Sequence, residues 1–129
     1  MDEISIFLAE GETHVRQAIR LSLNHEQGLS VIGEACHAEE LLAQICQGPS
    51  DLLLLDWNLP GMHPQRIISV IQRYCPKTAV FATGVRREQG KAALAYGVDG
   101  FLLKGLPPEE FVQVLKDLIM STANQNKEK

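Results

Sequence analysis

The sequence predicts a doubly wound α/β domain: five parallel strands, each followed by a helix, in a (βα)5 order. Three observations carry that reading. Short apolar runs alternate with longer amphipathic stretches from end to end. The leucines of DLLLLD, residues 51–56, do not alternate with polar residues, as a strand covered by helices on both faces requires. Glycine and proline punctuate the periods at Gly28, Gly48-Pro49, Pro76, Gly97 and Pro107-Pro108.

ISIFLA, residues 4–9, is β-branched and aromatic enough for the first strand. Val15, Ala18, Ile19, Ser22 and Leu23 then fall at i, i+3, i+4, i+7 and i+8, one face of a helix with a serine in its stripe. SVIGEA, 30–35, reads as the second strand. AEELLAQI, 38–45, opens on acids, which suit a helix N-terminus, and Gly48-Pro49 closes it. After the third strand, Ile67, Val70, Ile71 and Tyr74 repeat at helical spacing until Cys75-Pro76. TAVFATG, 78–84, is the fourth strand. Residues 86–96 form the least committed helix, with small side chains and an interior Gly90, where a shift in population is easiest. GFLLK, 100–104, is the fifth strand. Two prolines then open a helix with the stripe Phe111, Val114, Leu115, Leu118 and Ile119, leaving Gln113, Lys116 and Asp117 on a solvated face.

With 129 residues, 45% hydrophobic and 22% charged, the chain suits one soluble globular domain over residues 1–120. The polar segment STANQNKEK, 121–129, reads as a frayed tail or the start of a linker. A net charge of −4 and a pI near 5.5 argue against direct nucleic-acid binding, which calls for a basic face. No apolar stretch is long enough for a bilayer, and the start MDEISIF carries acids where a signal peptide carries Lys or Arg. The expectation is a cytoplasmic chain with no membrane partner. Cys36, Cys46 and Cys75 form no CxxC pair, and His14, His25, His37 and His63 are scattered. Neither a zinc site nor a disulfide framework is expected, and both groups read as ordinary core or surface residues.

In a doubly wound sheet the ligand sits at the carboxyl ends of the strands. Those ends carry Glu10-Gly11-Glu12, Asp56, Thr83-Gly84 and Lys104-Gly105. Singly, each has a plain explanation: strand-end acids are commonly solvated, threonine favours strands and lysine reaches for water. Jointly they set carboxylates, a hydroxyl and an ammonium on one rim. Mg2+ takes one or two carboxylates, waters and phosphate oxygens, so two acids and a backbone carbonyl make a site for it. An aspartate there can attack phosphorus and hold the group as an acyl phosphate. Lysine would offset the phosphoryl charge and a threonine hydroxyl would donate to one of its oxygens.

On these residues the sequence resembles the receiver domain of two-component response regulators, over roughly residues 4–119. The motifs are LLLLDWNLPGM around Asp56, VFATG with Thr83, and GFLLK ending in Lys104. VIGEA and GVDGFLLKG also resemble the branch usually joined to a helix-turn-helix DNA-binding domain. The resemblance implies a flavodoxin-like sheet in strand order 2-1-3-4-5. It implies a phosphoprotein of phosphorelay signal transduction, with no enzyme activity beyond its own phosphoryl chemistry. Asp56 would be the phosphoacceptor, supplied by a sensor histidine kinase or phosphotransfer protein. Mg2+ would be held by Glu10, Asp56 and the backbone carbonyl of Asn58. Lys104 and Thr83 would contact the phosphoryl group, and Phe101 would be the switch aromatic. Their shifts would alter the face built from the fourth helix, fifth strand and fifth helix, through which homodimerisation is typical of the family. No DNA-reading element fits after Ile119, so if the natural protein binds DNA, a further domain would follow the STANQNKEK tail.

Two departures stand out. The family ends its first strand with two adjacent acids, and Gly11 takes the place of the second, which ordinarily ligates the metal. Either Glu12 reaches back or the longer Glu10 ligates directly; failing both, the alternative is a degenerate pseudo-receiver that acts by protein contact without phosphorylation. His63-Pro64 replaces the common Asp-Gly beyond the turn, where proline suits the first turn of a helix and His63 reads as a surface residue near the rim. A nucleotide-binding enzyme on the same sheet would need a Gly-rich phosphate loop after the first strand, and EGETHV is neither GxGxxG nor a Walker loop.

Overall fold

The computed structural model describes residues 3–48 and 50–128. Its elements run β1 (Ile4–Ala9), α1 (Thr13–Asn24), β2 (Leu29–Ala35), α2 (Ala38–Gln44), β3 (Leu52–Asp56), α3 (Pro64–Tyr74), β4 (Ala79–Gly84), α4 (Arg87–Ala95), β5 (Gly100–Leu103) and α5 (Pro108–Glu128). All strand pairs are parallel, in the order β2-β1-β3-β4-β5. The chain winds to one side from β1 to β2 and to the other from β1 to β3, so the switch point lies between β1 and β3.

β3 shows why its leucines do not alternate with polar residues. Leu53 and Leu55 enter the core beneath α2, α3 and α4, while Leu52 and Leu54 enter the core beneath α1 and α5. All four are buried, each worth about 1.5–3 kcal/mol relative to exposure. A central strand packed on both sides is a stiff mount for whatever its last residue carries.

Two expectations need correction, one in α3 and one at the cysteines. In α3 the buried residues are Ile67, Ile68 and Ile71, and Tyr74 is 66% exposed. Tyr74 is the last helical residue, and the Arg73 guanidinium lies 5.7 Å from its ring centroid. α5 runs through Glu128, across a segment 121–128 that holds neither glycine nor proline. Cys46 and Cys75 form a disulfide, with Cα atoms 6.1 Å apart. They follow α2 and α3, neighbouring helices on one face whose C-terminal ends meet at the far end of the sheet from the rim. A separation of 29 residues across two βα units gives no motif to read. Pro49, the expected stop after α2, lies outside the described residues. Among the described residues no helix is long and apolar enough to cross a membrane.

Candidate functional site

The rim is built by the ends of four strands. Glu10 follows β1, its amide donating to Ala35 O at 3.0 Å. Asp56 ends β3 and pairs in register with Thr83 of β4. Lys104 follows β5, its amide donating to Gly84 O at 2.9 Å. Glu10, Asp56 and Thr83 are buried, at 1%, 3% and 2% exposure. Lys104 Nζ lies 2.8 Å from Glu10 Oε1 and 2.8 Å from Asp56 Oδ1, so one ammonium bridges two buried carboxylates.

The two contacts differ in kind. Nζ donates an aligned hydrogen bond to Asp56 Oδ1, whereas Glu10 Oε1 has ion-pair proximity without an aligned donor. Glu10 Oε2 accepts from Glu12 N at 2.9 Å. Asp56 Oδ1 also accepts from Asn58 N at 2.9 Å, and Oδ2 accepts from Gly11 N at 3.2 Å. Burial holds the Glu10 carboxyl above its ordinary value and the charge of Asp56 adds to this, against the close Lys104 ammonium and the hydrogen bond from the Glu12 amide. Burial alone would lower Lys104, but the hydrogen bond to Asp56, the close contact with Glu10 and the charge of both acids outweigh it and raise the ammonium above its usual range.

Gly11 leaves a gap in the ligand set and supplies an amide in its place. A side chain there would start 3.0 Å from Pro60 Cδ and 3.6 Å from Asp56 Oδ2. Glu12 is exposed and its Oε1 caps α1 by accepting from His14 N at 3.2 Å. Glu10 and Asp56 are therefore the two carboxylates that share the crevice. Their oxygens, one of them buried without an aligned donor, fit a hard divalent cation.

Asn58 is exposed, in the turn two residues beyond Asp56. Phe101 lies apart from the carboxylates, half-buried against two glycines: a Cβ at Gly84 would stand 3.0 Å from its ring, and one at Gly90 2.7 Å. That contact explains the glycine inside α4, since the ring occupies the space a side chain would need. His63 is the exposed N-cap residue of α3 and makes no side-chain cap bond. Trp57 is buried beside Asp56 and stacks on Tyr96, with ring centroids 6.0 Å apart. Sequence reasoning missed two groups. One is the Gly11 amide. The other is Arg16, which donates from Nη1 to Glu10 O at 2.9 Å and holds the turn into α1; a single arginine on an amphipathic helix gives no signal of this.

Comparison with known proteins bears on this geometry. The family model for the response regulator receiver domain matches residues 6–116. The chain is 27% identical over 113 residues to the nitrate/nitrite response regulator protein NarL of Escherichia coli K12, covering 86% of this chain and 52% of that protein. It is 32% identical over 116 residues to the transcriptional regulatory protein CitT of Bacillus subtilis, covering 87% of this chain and 50% of that one. The chain thus spans about half the length of the curated relatives it matches. Among solved structures, the receiver domain of the putative response regulator NarL from Mycobacterium tuberculosis aligns with a TM-score of 0.81 at 24% identity, covering 91% of this chain and 96% of that one. The isolated receiver domain of RcsB from Salmonella enterica serovar Typhimurium, solved with the phosphomimetic BeF3−, aligns with a TM-score of 0.82 at 21% identity, covering 92% and 90%.

Proposed function

The chain belongs to the response regulator receiver domain family, and from that premise we propose that Asp56 accepts a phosphoryl group from a phosphohistidine on a sensor kinase or phosphotransfer protein. The observation that carries the reading is Lys104 Nζ, 2.8 Å from both Glu10 and Asp56 at the carboxyl ends of the strands.

In the transfer an Asp56 carboxylate oxygen attacks phosphorus and a P–O bond forms. The P–N bond to the donor imidazole breaks, and its electron pair stays on that nitrogen, which takes up a proton. Lys104 is positioned to follow the added charge on the phosphoryl oxygens, and Thr83, paired with Asp56 across the sheet, supplies a hydroxyl beside them. Receiver domains of this family bind Mg2+ at the phosphorylation site, where it neutralises charge on the transferred group. In this chain Glu10, Asp56 and the Asn58 carbonyl would hold it, and no group on Gly11 contributes.

Movement of Thr83 towards the phosphoryl group would vacate space for Phe101, whose ring rests on Gly84 and Gly90. The affected face is α4–β5–α5, where Leu94 and Tyr96 are exposed. Homodimerisation through this face, and a DNA-binding domain beyond residue 129 as the output, complete the proposal.

A second reading has its own observation. Gly11 removes a ligand while Lys104 already bridges both carboxylates, as a pseudo-receiver working by protein contact alone would tolerate. Titrating Mg2+ and then beryllofluoride while following Trp57 fluorescence separates the two. A saturable Mg2+ response with a further change on beryllofluoride, both lost in Asp56→Asn, supports phosphorylation. No response in folded protein favours the pseudo-receiver.

A further inference from the structure

We propose that Cys36, His37 and Glu40 form a binding site for a borderline-soft divalent cation, Zn2+ by chemistry, distinct from the acidic crevice at Asp56. Cys36 follows β2, His37 is the N-cap residue of α2 and Glu40 lies in the first turn of that helix. The thiol sulfur, one imidazole nitrogen and one carboxylate oxygen lie within 4.8 Å of one another; Cys36 and Glu40 are half-buried and His37 is more exposed. Tetrahedral Zn2+ at its usual bond lengths sets such ligand atoms roughly 3.4–3.6 Å apart, so closure asks for small side-chain rotations. Cys36 is free, since Cys46 and Cys75 are bonded to each other. A thiolate, an imidazole and a carboxylate, with a fourth position for water, suit Zn2+ and not Mg2+, which avoids sulfur.

Helix capping does not account for these residue types. Glu40 Oε1 accepts from Cys36 N at 2.7 Å, which leaves its second oxygen for a ligand role. His37 Nδ1 accepts from Glu40 N only at 3.4 Å, at the limit of hydrogen bonding, and histidine is outside the favoured N-cap set. A capping box needs neither a thiol nor an imidazole. The Arg16 guanidinium acts on Glu40 from nearby, but its charge is paired with Glu34 at 3.5 Å. The site adjoins the crevice through the main chain: Ala38 N donates to Pro60 O at 2.9 Å, tying the start of α2 to the loop after Asp56.

Cobalt is the probe. Metal-free protein with the Cys46–Cys75 bond intact is titrated with Co2+ without oxygen and in excess Mg2+, reading the near-ultraviolet thiolate-to-cobalt charge-transfer band, and Zn2+ is then added. The expected result is one equivalent of Co2+, a band displaced by Zn2+, abolished in Cys36→Ser and unchanged in Asp56→Asn. His37→Asn and Glu40→Gln keep the capping acceptors, so they should unfold at or near the wild-type temperature. Their Co2+ affinity should nonetheless fall by about 10–100-fold, the scale on which metal sites respond even to outer-shell losses. No band in folded protein, a band that survives Cys36→Ser, or wild-type affinity in His37→Asn and Glu40→Gln would overturn the proposal.

Discussion

Replacing Lys104 by methionine tests the electrostatics of the crevice with a worked magnitude. The ammonium sits between two carboxylates, and the side chains are 11% exposed for Lys104, 1% for Glu10 and 4% for Asp56, so water cannot stand in for it. Breaking a buried pair by removing one partner costs about 3–5 kcal/mol, and with two acids left the upper half of that range is expected. That is a large part of the roughly 5–15 kcal/mol that holds a domain together. The cost must also depend on pH. Burial already raises Glu10, and losing the cation raises it further. A carboxyl raised in the folded state contributes stability that is complete below its unfolded value, near 4.5, and is lost as pH rises through its folded value. The deficit of Lys104→Met relative to wild type is therefore smallest near pH 5 and largest near pH 7. Adding Glu10→Gln should recover most of it at pH 7. Urea unfolding of the three proteins at both pH values, followed by Trp57 fluorescence, measures these differences. A deficit at pH 7 below about 1 kcal/mol, or one that does not change with pH, would refute the reasoning.

Other outcomes follow from the same structure. Cys75→Ser, or reduction of the disulfide, should remove about 3.6 kcal/mol of stability on the loop-entropy account of a 29-residue separation, or about 10–15 °C in Tm for a chain of this size; calorimetry showing a shift under about 4 °C would contradict this. Gly11→Asp should tighten Mg2+ binding by more than tenfold, since a unit charge about 4 Å from a charge is worth roughly 4 kcal/mol at an effective dielectric of about 20, and the Pro60 ring needs to give only a few tenths of an ångström. Isothermal titration reads that change, and unchanged affinity would count against the crevice as the metal site. Gly90→Ala should gain about 1 kcal/mol in helix propensity but lose about 1–3 kcal/mol where its Cβ meets Phe101, turning the ring outward. Ring contacts between Phe101 and α4, measured by NMR, should disappear in the variant.

Much of the fold was legible because single segments carry it. The leucines of β3 speak for burial on both faces without reference to any other part of the chain. The site was legible for a topological reason: a parallel sheet sends every strand's carboxyl end to one edge, so Glu10, Asp56, Thr83 and Lys104 must share it. What could not be read depends on contacts between segments. The Cys46–Cys75 bond needs α2 and α3 to end side by side, and Gly90 reads as a poor helix former until the Phe101 ring is seen to fill its place. Tyr74 fits the α3 stripe by spacing alone, but as the last residue of its helix it stays exposed. The Gly11 amide falls in the same class, because its value lies in a backbone group that no residue type announces.

The central claim is that Asp56 still takes a phosphoryl group although Gly11 offers no ligand. Intact-mass measurement after incubation with Mg2+ and a small acyl phosphate donor tests it most directly. The account predicts the mass of one added phosphoryl group per chain, removed by hydroxylamine as an acyl phosphate would be, and absent in Asp56→Asn. Folded wild-type protein that gains no mass, or Asp56→Asn that gains as much as wild type, would contradict it.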